Sequence, residues 1–148
     1  MGQQQLLLLV LGIVIVGLAV VVGIQAFGEN QKKANSDAIV NDAIRIASDA
    51  QAWRLKPAAF GGGAGNAAAA PFTGITLTQL GYNVTGTDYR NLNGRYRFSG
   101  TPGANLVIVG ESLGGSNNDN RVTATVTGTN PEQISTAVAT ADDAGFGT

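Results

Sequence analysis

The chain contains no cysteine and no histidine. Without cysteine there is no disulfide to hold the fold and no thiolate to act as ligand or nucleophile. Without histidine it lacks the commonest general base and the commonest metal ligand. Charge is scarce as well: Asp, Glu, Lys and Arg make up 13% of the 148 residues, about half the usual share, and the formal net charge is -1. That balance excludes a broad basic surface for nucleic acid. Serine and carboxylates are present, but no pattern sets a base beside a nucleophile, so the sequence gives no catalytic residue and no cofactor motif. The Gly61–Gly65 tract lacks the Gly-Lys-Ser/Thr ending of a phosphate-binding loop. What remains is small and uncharged: 21 glycines with much alanine, threonine and asparagine. The length allows one modest domain and one long element.

The N-terminal third is uncharged up to Glu29, and the 19 residues from Leu6 to Ile24 are wholly apolar. About 20 such residues span a bilayer as a helix. A secretory signal has a basic start and a shorter apolar run, and an ordinary anchor carries flanking Lys or Arg; neither is found on the N-terminal side here. A removed basic leader, with Met1 as the mature first residue, accounts for this. Gly12, Gly17 and Gly23 punctuate the run, each costing about 1 kcal/mol in a helix interior relative to alanine. Close packing against other helices is a reason to keep them.

The helical pattern continues past the apolar run. Glu29 to Arg54 contains no Pro or Gly, and Ile39, Ala43, Ile46, Ala50 and Trp53 recur at spacings of four and three, one stripe of a helix. Asp42, Arg45 and Asp49 fall among the charges expected to face solvent, with weak pairing along the helix. Lys56-Pro57 ends the element. A helix over about 1–54 is roughly 80 Å long.

Residues 57–93 read as a Gly/Ala-rich connecting loop, with a helical turn at Thr76–Gly81 closed by glycine. Residues 94–148 read as an antiparallel sheet and tail. Arg95–Phe98, Leu106–Val109 and Arg121–Thr127 are strand-like; Ile134–Ala139 is a fourth strand, although Asn130-Pro131-Glu132 also reads as a helix start. Tyr96, Phe98, Val122 and Val126 would cover the helical stripe. The expected fold is therefore α+β: a long N-terminal helix (1–28 apolar, 29–56 amphipathic) packed on a small antiparallel sheet of three to four strands.

This layout resembles the type IV pilins and the type II secretion pseudopilins. The match is closest at Met1-Gly2-Gln3-Gln4-Gln5 followed by Leu6, Leu7, Leu8, Leu9 and Val10. The family begins at a methylated residue after leader removal and carries Glu at mature position five; with Met1 first, Gln5 takes that place. Cleavage after Gly2 would instead make Gln3 the methylated residue. The chain departs from the family in three ways. Gln5 is neutral and gives a hydrogen bond without charge assistance, the usual proline late in the apolar run is missing, and no disulfide closes the C-terminal end. Gly17 and Gly23 can supply the softness that the proline would.

The resemblance implies a processed major pilin that needs no cofactor. It would be cut by a prepilin peptidase, held in the cytoplasmic membrane as a precursor and then polymerised by pilus machinery into an extracellular filament, with adhesion, motility, DNA uptake and conduction all compatible as its role. Assembly would run through Gln5–Val10, Gly12, Gly17 and Gly23, with like chains as the main partner and no specific nucleic acid. Two readings stay open beside it: a pseudopilin forming a short periplasmic fibre, and a single-pass anchored domain binding something small. For the latter, Asn117 and Asp119 offer oxygen ligands of the kind Ca²⁺ takes, but the spacing fits no complete calcium loop and a hairpin turn accounts for them. Asn83-Val84-Thr85 is a glycosylation-type sequon.

Overall fold

The computed structural model describes residues 1–113 and 120–140. The chain falls into two compact units, Met1–Ala34 and Asn35–Thr148. Helix α1 runs from Gly2 to Leu55, close to the span read from the sequence. Six strands follow: β1 (Val84–Thr85), β2 (Asp88–Arg90), β3 (Gly94–Ser99), β4 (Leu106–Ser112), β5 (Asn120–Val126) and β6 (Ile134–Thr140). Each pairs antiparallel with the next, giving the simple order β1-β2-β3-β4-β5-β6. The class is α+β, and the sheet has six strands rather than the three or four expected.

The two extra strands lie inside 57–93, so that segment is not merely a connecting loop. β1 and β2 are two and three residues long, too short for a period of two to register. The local signal was the pair Gly86-Thr87 between them, a two-residue hairpin connection with glycine first at φ 71°. The segment also feeds the core, since Phe72, Ile75 and Leu77 are buried. The turn expected at Thr76–Gly81 is capped at both ends. Thr76 and Gln79 exchange side-chain bonds with each other's backbone N–H, a capping box. Gly81 sits at φ 88°, and the Tyr82 and Gly81 N–H groups donate back to the Leu77 and Thr78 carbonyls, a Schellman closure.

In the second unit the α1 stripe packs on one face of the sheet. Ile39, Ala43, Ile46, Ala50 and Trp53 are all buried, against Tyr96, Leu106, Ile108, Val122, Ala124 and Val126. Register explains the small residue at the centre: Tyr96, Gly110 and Val122 lie in one row across β3, β4 and β5. A Cβ at Gly110 would come within 2.7 Å of Ile39 and 2.8 Å of the Tyr96 ring, so glycine is what lets helix and ring meet over the sheet.

Where α1 ends, its last turn is tied to the Gly/Ala tract. Trp53 Nε1 donates to the Gly61 carbonyl, and the Arg54 guanidinium reaches the carbonyls of Gly63 and Asn66. Gln51, buried on the same turn, donates to the carbonyls of Gly128 and Asn130 at 2.9 and 2.8 Å. The β5–β6 connection settles both readings made of it: Pro131–Gln133 is one 3₁₀ turn with a capping box, and Ile134 then starts a strand.

Candidate functional site

Two features stand out, one in each unit. The first is the helical surface of Met1–Ala34. From Leu6 to Phe27 every large apolar side chain is at least half exposed, from Val10 at 50% to Phe27 at 75%. The run is apolar on all sides and is long and apolar enough to cross a membrane. Soluble monomers rarely expose apolar patches beyond a few hundred Å². Gln5 and Leu6–Val10 lie at its start, all exposed. A Cβ added at Gly12, Gly17 or Gly23 would meet nothing within 4 Å, so no contact within the chain asks for glycine at these positions. The same holds at Gly2, the residue between Met1 and Gln3.

The second feature is a polar clasp on the other unit's helix. Asp42 and Asp49 are seven residues apart, two turns along one face. Asp42 Oδ2 accepts three hydrogen bonds, from Asn91 Nδ2 at 2.8 Å, Asn93 Nδ2 at 2.9 Å and the Tyr96 hydroxyl at 2.8 Å. Asp49 Oδ2 accepts from the Tyr82 hydroxyl at 2.5 Å. Tyr89 lies between the two tyrosines, with ring centroids 4.7 Å from Tyr82 and 5.8 Å from Tyr96. All three tyrosines of the chain thus form one row, anchored at each end to α1. These carboxylates were expected to be plain solvated charges. Their partners lie at least 33 residues away, and no local pattern announces them.

Burial alone would push the Asp42 carboxyl up. The bonds from Asn93, Asn91 and Tyr96, with the Arg45 charge, outweigh it and hold the group below the usual carboxylate range. Burial first, and then the bonds to Asp42 and Asp49, push the Tyr96 and Tyr82 hydroxyls up, so both remain donors. The clasp is therefore structural chemistry: each carboxylate is engaged by neutral donors. Because the folded value of Asp42 is depressed, its contribution to stability is present above the ordinary carboxylate value of about 3.9 and is lost as pH falls through the lower folded value. Melting followed from pH 7 down to about pH 2 should show the second unit weakening below about pH 4. Asp42→Asn should flatten that acid limb and lower the melting temperature at pH 7.

No known family model, curated protein or solved structure matches this chain.

On the outer face of the sheet Arg95 pairs with Glu111 at 3.0 Å and Arg97 lies 3.9 Å from Asp88. Among the described residues no group of three carboxylates lies close enough to hold a metal ion. Asn117 and Asp119 fall outside the described residues. Asn83 is exposed immediately before β1, accessible to modification.

Proposed function

We propose that this protein is a non-enzymatic structural subunit of a type IV pilus-like filament, and that it polymerises by burying its apolar helix among copies of itself. The observation that carries this is the apolar surface from Leu6 to Phe27, exposed on every side and interrupted by glycines that serve no contact within the chain. A lipid bilayer covers such a helix before assembly, and like helices cover it afterwards. Full burial of one Leu or Val side chain is worth about 1.5–3 kcal/mol. More than a dozen such residues can hold a filament with no covalent link, which suits a chain without cysteine. Head-to-tail contacts that do not close on themselves give a helical polymer. The sheet units then form a weakly charged exterior rich in Thr and Asn.

In this reading the chain sits in the cytoplasmic membrane as a precursor and outside the cell as a filament. Gln5 meets the N-terminus of a neighbouring copy through a neutral hydrogen bond, so apolar burial carries more of the assembly energy than electrostatics. A secretion pseudopilin shares the architecture and differs in making a short periplasmic fibre.

The test is electron microscopy of material sheared from cells, with mass spectrometry of its N-terminus. Thin filaments of this chain beginning at a methylated Met1 or Gln3 are expected. A chain that stays wholly in the membrane fraction, unmodified and without filaments, is instead a plain anchored domain.

A further inference from the structure

Asn83-Val84-Thr85 is a motif that neither the filament nor the clasp uses. Of the chain's twelve asparagines only Asn83 is followed two residues later by Ser or Thr, so a single position carries any chemistry of this pattern. The triplet accepts an N-linked sugar when its amide and hydroxyl can be reached from outside. Such triplets also arise by chance; what sets this one apart is how the fold presents it.

Exposure alternates through the segment. Tyr82 and Val84 are half-buried against the core, whereas Asn83 and Thr85 are exposed. In extended chain, residues two apart point to the same side, so the amide and the hydroxyl project together, away from the core. β1 is the first strand in the sheet order and pairs only with β2. It is two residues long, matched as Val84 with Tyr89 and Thr85 with Asp88. A strand so short, flanked by Gly81 and Gly86 at positive φ, opens locally at small cost. The amide is also unspent. Asn91 and Asn93 commit their side-chain N–H groups to Asp42, Asn35 to the Asn93 carbonyl, and Asn66 to the carbonyls of Pro71 and Thr73. Among the described residues, neither Asn83 nor Thr85 has a side-chain hydrogen-bond partner.

We infer that Asn83 is the acceptor of an N-linked glycan, transferred from a polyprenyl-phosphate-linked sugar. In that step Asn83 Nδ2 bonds to the anomeric carbon. The bond from that carbon to the phosphate oxygen breaks, its electron pair leaves with the phosphate, and one Nδ2 proton passes to solvent. Nothing is oxidised or reduced. Thr85 takes part in no bond that changes; its hydroxyl is what the transferase reads beside the amide. The inference rests on the reading above only in needing the sheet unit outside the membrane, where such donors are used; it needs no filament. A glycan there adds hydration to a chain in which only 13% of residues are charged.

The test takes the full-length chain from the cells that make it, digests it with trypsin and weighs the peptide 55–90, which holds Asn83. A mass above that of the bare peptide is expected, placed on Asn83 by electron-transfer fragmentation. Asn83→Gln and Thr85→Ala should each remove it, and Thr85→Ser should keep it. Both side chains are exposed, so none of the three variants should move the melting of the sheet unit, and a loss then reads the modification rather than misfolding. A bare Asn83 in the wild-type chain, an added mass that sits on a threonine, or a mass that survives Asn83→Gln overturns the inference. Filaments built of bare chains overturn it and leave the filament reading intact. A glycosylated Asn83 on a chain that forms no filaments upholds it while that reading fails.

Discussion

Replacing Ile15 with arginine should abolish filament formation and weaken membrane retention while leaving the sheet unit folded. Ile15 lies at the middle of the Leu6–Ile24 run, is 57% exposed and belongs to Met1–Ala34, not to the unit that holds the core. An arginine at the centre of a membrane helix costs about 2.5–3.5 kcal/mol on insertion scales, roughly a hundredfold in the insertion equilibrium constant, which the many remaining apolar residues of the run partly offset. Assembly is hit harder, because every copy brings the same charge into a shared apolar core where none of the first 28 residues can pair it. Fractionation and sheared yield read the loss, and circular dichroism melting reads the sheet unit, whose transition should not move. Normal filaments from Ile15→Arg would place that helix face in water and contradict burial on all sides.

Gly110→Val should destabilise the sheet unit by about 2–3 kcal/mol, the upper part of the range for overpacking a core. Strand preference alone predicts the opposite sign. Valine favours strands and glycine does not, on a scale that spans about 1 kcal/mol. Packing opposes it, since the first added carbon would already lie 2.7 Å from Ile39 Cγ2 and 2.8 Å from the Tyr96 ring. Both neighbours are fully buried, and Tyr96 is also held at its hydroxyl by Asp42. Neither can move aside without breaking something else, so packing should win. For a domain of this size the melting temperature should fall by about 10 °C. A rise would show that the helix does not sit against the sheet at this row.

The sequence made the long elements legible because their patterns are long. The spacing of Ile39, Ala43, Ile46, Ala50 and Trp53 named a face, and all five are buried. Alternation in Arg121–Thr127 named the inward side of β5, and Val122, Ala124 and Val126 lie in the core. What was missed has no repeat to show. β1 is held by pairing with β2, and β2 by pairing with β3 and by the tyrosine row, not by their own composition. Gln51 looks like a surface residue until the carbonyls of Gly128 and Asn130 are brought to it. Asp42 reads as a helix-surface charge until Asn91, Asn93 and Tyr96 converge on one of its oxygens. The apolar helix was the easiest element to read, since lack of charge over a long stretch needs no tertiary partner to reveal it.

The most direct test of the central claim is electron cryo-microscopy of filaments sheared from cells expressing the full-length chain. The account predicts a continuous core of packed helices built from residues 1–28, with the sheet units outside and residues such as Ile15 and Gly17 facing neighbouring helices. Filaments whose core is made by the sheet units, with the apolar helices absent or left outside, would contradict it.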